Sequence, residues 1–172
     1  MNEEVVRWLN TLPDDAARQE FYKCCGAKWW CERMNEARPF ANSIALQVAA
    51  DHAFDAMPNL AWLEAFGGHP RIGDLDSLRM RLAGNKQWSA GEQAGVEVAD
   101  EATLQKLADG NQEYEQRFRY VFIVCATGKT ATEMLAILES RLHNDDSTEL
   151  HVASQEQRKI THLRLGKLTP SV

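Results

Sequence analysis

The sequence has little that would take it into a membrane or out of the cell. No run approaches the roughly 18 uninterrupted apolar residues that a membrane-spanning helix requires, and Met1-Asn2-Glu3-Glu4 lacks the basic-then-apolar layout of a secretory leader. The final residues, Leu168-Thr169-Pro170-Ser171-Val172, are not the Ser-Lys-Leu address of a peroxisomal enzyme. A cytoplasmic location is the expectation. Cysteine is scarce as well: Cys24, Cys25, Cys31 and Cys125 form neither paired C-x-x-C knuckles nor a disulfide framework, so they read as reduced packing thiols. A zinc site shared by Cys24, Cys31 and a histidine is disfavoured, because adjacent cysteines seldom both ligate one tetrahedral ion, and no metal is expected. Positive charge is also in deficit. With 19 Lys and Arg against 25 Asp and Glu, the net charge is -6, which leaves no basic footprint for nucleic acid or an anionic membrane. Small metabolites are the expected partners.

Period-two alternation is almost absent too, which argues against half-buried strands. What is present instead is apolar spacing of three and four, the signature of one helical face. The spacing predicts an all-α fold of six to eight helices in one bundle-like domain spanning 1–172, a length sufficient for a real core. A first helix is expected from Glu3 to Leu12, then a stop and a fresh N-cap at Pro13-Asp14-Asp15 for a second running towards Cys25. Trp29, Trp30, Cys31 and Met34 suggest a third, closed by Arg38-Pro39. Further helices are expected over Ser43 to Met57, Leu60 to Phe66, Glu101 to Phe118, Thr130 to Leu142 and Thr148 to Leu165, the last two with an apolar stripe and an acidic first turn. Val121 to Ala126 is continuously apolar and β-branched, but with no partner strand in view a buried helix or extended segment is favoured.

Two stretches stand out as chemistry. Gly67-Gly68-His69-Pro70-Arg71-Ile72-Gly73-Asp74 carries three glycines and a proline, so it reads as a loop. Gly67 and Gly68 would let the backbone approach a ligand, and Pro70 restricts His69 to an extended conformation. The same residues equally suit a helix end whose carbonyls His69 caps. In Ser89-Ala90-Gly91-Glu92-Gln93, a hydroxyl, a carboxylate and an amide cluster at a helical N-terminus where they can grip a heteroatom-rich ligand, yet Ser-x-x-Glu is also an ordinary capping box. Arg164, near the end of the last helix, either complements the helix dipole or points to water, or else offers its planar fork to a carboxylate. His52, His143, His151 and His162 have ordinary helical surroundings and read as structural.

In order and spacing, several motifs together resemble the 2-oxo-4-hydroxy-4-carboxy-5-ureidoimidazoline (OHCU) decarboxylase family. They are Ala37-Arg38-Pro39-Phe40, His69-Pro70-Arg71-Ile72-Gly73, Ser89 to Gln93, Asn111-Gln112-Glu113-Tyr114, Arg117 to Ile123, Glu139-Ser140-Arg141-Leu142, and Lys159-Ile160 ahead of Arg164-Leu165. One departure is visible: where the family usually has Phe-Gly-Phe-Pro-Phe, this chain has Phe118-Arg119-Tyr120-Val121-Phe122, losing a glycine and a proline. The resemblance implies an all-helical homodimer that decarboxylates the ureidoimidazoline to (S)-allantoin in urate degradation, with no cofactor. It also implies His69 and Glu92 as catalytic residues. Pro70, Ser89, Ala90, Gly91, Glu92, Gln93, Phe122, Ile123, Val124, Cys125, Ala126 and Arg164 would then bind the substrate. Two other readings compete with it: a non-catalytic helical module that binds a ureide or a protein partner, and a hydrolase, for which no water-activating cluster is visible.

Overall fold

The computed structural model describes residues 3–69 and 101–170. The described residues form eight α-helices and no strand. They are α1 (Glu3–Thr11), α2 (Asp14–Cys24), α3 (Lys28–Glu36), α4 (Ser43–Asp55), α5 (Asn59–Gly67), α6 (Glu101–Phe118), α7 (Ala131–Arg141) and α8 (Asp146–Lys167). The all-α expectation holds, and most helix bounds fall within two residues of the sequence reading. No described helix is long and apolar enough to cross a membrane. The fold gathers into two compact units, residues 1–68 with 154–172, and residues 69–153.

In the first unit the aromatic residues of α2 to α5 build the core. Trp30 stacks on Phe54 with ring centroids 5.2 Å apart, Phe54 stacks on Trp62 at 5.3 Å, and Phe21 meets Trp30 edge-on. Such pairs add to area burial because ring quadrupoles favour offset and edge contacts. The Arg158 guanidinium lies over both Phe54 and Trp62 while pairing with Asp55 at 2.7 Å. The turn between α1 and α2 is locked by Arg38, which donates to the carbonyls of Leu9 (2.6 Å) and Leu12 (2.8 Å) and to Asp14 (2.7 Å). Carbonyls orphaned at the end of α1 thereby gain a partner. Asn10 and the Phe40 backbone exchange two further bonds. The Ala37 to Phe40 motif is thus a structural clamp.

Two local expectations are corrected. Neither Asp14 nor Asp15 caps α2: Pro13 occupies the cap position without a side-chain bond, and both aspartates sit in the first turn, where they complement the dipole and pair with arginines. Gly67 belongs to α5 rather than to a loop, because the helix continues until Gly68, whose N–H closes onto Ala65.

In the second unit α6 packs on α7 around Leu104, Leu107, Tyr114, Phe118, Met134 and Leu138. A Cβ on Gly110 would lie 2.8 Å from Leu138 Cδ2, so any larger residue there would displace the Leu138 side chain. The last helix departs from the expected apolar stripe. Its buried positions recur every four residues but are mostly polar: Glu149, Ala153, Gln157, Thr161 and Leu165, with Ser154 beside them. Burial of polar groups is tolerated because they are hydrogen-bonded. Thr161 donates to the Gln157 carbonyl and accepts from the Gln157 amide.

Candidate active site

The expected catalytic histidine sits at the end of α5. Gly68 continues the right-handed helical backbone (φ -75°), so neither it nor Gly67 is there to supply a left-handed turn. Gly68 instead lies against Gly26: a methyl on either would come within 3.7 Å of the other's Cα. His69 follows it and is half-buried. Pro70, Ser89, Ala90, Gly91, Glu92 and Gln93 lie outside the described residues.

The second expected element, Phe122 to Ala126, lies in the second unit and is neither helix nor strand. It is reached through Arg119, which ends α6 in the left-handed region (φ 65°) with its N–H bonded to the Glu115 carbonyl. This is the usual left-handed helix terminus, a place where glycine is the unstrained choice. The segment closes at Gly128, also left-handed (φ 76°), with Lys129 N–H on the Ala126 carbonyl. Phe122, Ile123 and Cys125 are buried, and Val124 and Ala126 half-buried.

With no regular ladder of its own, the segment is held by cations. Arg141, at the end of α7, donates through Nη1 to the Ile123 carbonyl at 2.8 Å, and Lys129 Nζ donates to the Cys125 carbonyl at 2.7 Å. The Arg141 guanidinium also lies 4.7 Å from the Phe122 ring centroid. Its other nitrogens, Nε and Nη2, reach Glu149 Oε1 at 2.9 and 2.5 Å. The Tyr114 hydroxyl donates to the same oxygen, while Asn144 donates to Glu149 Oε2 at 2.7 Å. Glu149 is wholly buried and Arg141 nearly so. Burial and the bond to Glu149 push the Tyr114 phenol well above its ordinary range, and burial pushes Tyr120 up to about 12. Removing one partner from such a buried pair typically costs about 3–5 kcal/mol.

Arg164 lies in the first unit. It is half-buried on α8 and donates through Nη1 to the Cys24 carbonyl at 3.2 Å, so one arm of its fork already satisfies a carbonyl at the end of α2. An open cavity of about 270 Å³ in the same unit is lined by Arg18, Gln19, Tyr22, Lys28, Cys31 and Glu32, none of them an expected site residue. Among the described residues no cluster of three or more His, Cys, Asp or Glu has the arrangement of a metal site. Sequence reasoning missed Glu149 as a partner: it reads as a dipole-complementing residue in a first turn, and its spacing from Tyr114 and Arg141 carries no local signal.

The OHCU decarboxylase family model matches residues 10–166, nearly the whole chain. The chain belongs to this family. Among the family's relatives, it is 33% identical over 154 residues to the uric acid degradation bifunctional protein TTL of Arabidopsis thaliana, covering 90% of this chain but only about half (48%) of that protein. It is 32% identical over 130 residues to the 2-oxo-4-hydroxy-4-carboxy-5-ureidoimidazoline decarboxylase of Amia calva, covering 74% of this chain and 73% of that one. Its fold matches the crystal structure of an OHCU decarboxylase in the presence of (S)-allantoin with a TM-score of 0.66 and 34% identity, over 86% of this chain and 95% of the other.

Proposed function

We propose that this chain is an OHCU decarboxylase acting in urate degradation, producing (S)-allantoin from the ureidoimidazoline. The observation that carries the reading is the near-complete match to the OHCU decarboxylase crystal structure with (S)-allantoin, at 34% identity. The substrate's chemistry is compatible with catalysis by side chains alone. As the carbon–carboxylate bond breaks, its electron pair forms a double bond to the neighbouring ring carbon, and the adjacent C=N pair moves onto nitrogen, which takes up a proton. The resulting enol then loses its hydroxyl proton and gains one at the neighbouring carbon, leaving a carbonyl and a stereocentre.

In this reading His69, oriented by Glu92, accepts the hydroxyl proton and delivers one to a single face of that carbon. Ser89, Ala90, Gly91 and Gln93 grip the ureido and ring groups, Pro70 stiffens the His69 loop, Arg164 meets the carboxylate with its remaining nitrogens, and Phe122 to Ala126 closes the pocket. The reading also expects one family domain over the whole chain, working in the cytoplasm as a homodimer. Ile44 and Val48 on α4, and Leu60 and Leu63 on α5, are exposed apolar side chains available to such an interface. Light scattering of the purified chain checks the dimer, with the mass of two chains expected.

The decisive experiment is circular dichroism of the allantoin formed when urate is oxidised and its first product enzymatically hydrolysed, with and without this protein. Fast, exclusive formation of (S)-allantoin is expected. An unchanged racemising decay would reject the decarboxylase and favour a helical module that binds a ureide without turnover.

A further inference from the structure

We propose that Arg141 and Glu149 are positioning residues of the decarboxylase, acting through the backbone of Ile123 to hold Phe122 to Ala126 in its substrate-binding shape. The inference rests on the reading that this segment lines the substrate pocket. The segment lacks the hydrogen-bond ladder that would make it rigid by itself. A binding wall has to hold its geometry to within about 0.5 Å, and one built on irregular backbone needs a supporting layer of side chains.

Arg141 supplies that layer with all three guanidinium nitrogens. Nη1 takes the Ile123 carbonyl, Nε and Nη2 are clamped by Glu149 Oε1, and the guanidinium face covers Phe122. Glu149 is in turn fixed by Tyr114 and by Asn144. A buried ion pair is a poor way to gain stability, since well-packed apolar residues of similar volume often do as well. What an apolar replacement cannot do is donate to the Ile123 carbonyl while being held in one orientation by a carboxylate. Two motifs of the family resemblance, Asn111 to Tyr114 and Glu139 to Leu142, thereby acquire a role. Tyr114 and Arg141 meet at Glu149, and Arg141 acts on the segment through the Ile123 carbonyl.

The test uses Arg141→Lys in the full chain, with Asn144→Ala as a milder variant that removes one bond to Glu149 and leaves the ion pair in place. Backbone hydrogen exchange over residues 121–126 and separate kcat and KM values for the ureidoimidazoline are measured on both. In Arg141→Lys, exchange should accelerate in 121–126 but not across α6 and α7, and KM should rise about tenfold while kcat falls less than about threefold, the pattern of a binding wall that holds substrate less well. Asn144→Ala should move the same quantities the same way by a smaller factor, and it decides the matter if Arg141→Lys does not fold. Unchanged exchange in 121–126 overturns the positioning role while leaving the segment's place in the pocket standing. Faster exchange there with unchanged KM and kcat overturns the premise that the segment touches substrate. Acceleration spread evenly over the second unit reduces the network to a general folding element.

Discussion

At the scale of single residues, the proposed function puts most weight on His69. Its position immediately beyond α5 keeps the imidazole on a helix end whose backbone is seated against Gly26, a firmer mount than an isolated loop would supply. If His69 moves a proton in the reaction, His69→Asn should lower kcat by about 10²–10⁴-fold with the helical circular dichroism unchanged. Near-normal turnover in that variant would return His69 to a capping role. Arg164 is already partly engaged by the fold. It ties the end of α2 through Nη1, and the rest of its fork remains the proposed carboxylate contact. The two contacts are not exclusive, because a guanidinium has five donors to distribute.

At the scale of elements, the ends of helices carry the local energetics. Arg119 occupies the left-handed position after α6 where the family usually has glycine, and a side chain there strains the backbone. Arg119→Gly should therefore stabilise the chain by about 1 kcal/mol, net of the extra freedom glycine has when unfolded. That corresponds to a rise in the thermal midpoint of about 2–4 °C. A calorimetric scan showing no rise would mean that neighbouring contacts of Arg119 compensate for the strain. Thr130 begins α7 in a reciprocal capping box, its hydroxyl accepting from Glu133 N–H at 3.2 Å while the Glu133 carboxylate accepts from Thr130 N–H at 2.7 Å. Thr130→Ala should cost about 1 kcal/mol, measured as a lower urea midpoint at constant slope. Because α7 ends in Arg141, loosening its start tests whether the helix positions that arginine or merely presents it.

At the scale of the whole molecule, pH is the most direct lever on the buried thiols. Burial raises Cys24 to about 12 and Cys25 to about 11, from an ordinary value of 9.0, despite bonds from Ala27 and Thr161 that favour the Cys25 thiolate. A pKa raised on folding contributes stability that is fully present below the unfolded value and lost as pH rises through the folded one. The urea midpoint should thus decline from about pH 9 towards pH 11–12, and replacing Cys24 and Cys25 by Ala should flatten that part of the profile. An equally steep decline in the replaced chain would assign the loss to other groups.

The sequence by itself determined the fold class, because apolar residues three and four apart can be buried only on helical faces. It also determined most helix ends, among them those before Pro13 and before Arg38-Pro39 and the end of the long helix at Phe118. The family was legible in the order of its motifs. Local patterns could not reveal which polar residues would be buried together. Tyr114, Arg141 and Glu149 are separated by 27 and 8 residues along the chain, and each alone reads as an ordinary surface-capable side chain. Only tertiary packing excluded water from all three at once, and that exclusion turns a first-turn glutamate into the partner that orients Arg141 towards the Ile123 carbonyl. The same distinction explains the misread stripe of α8: periodicity reports which positions face inward, whereas the partners waiting there decide whether a polar residue can occupy them.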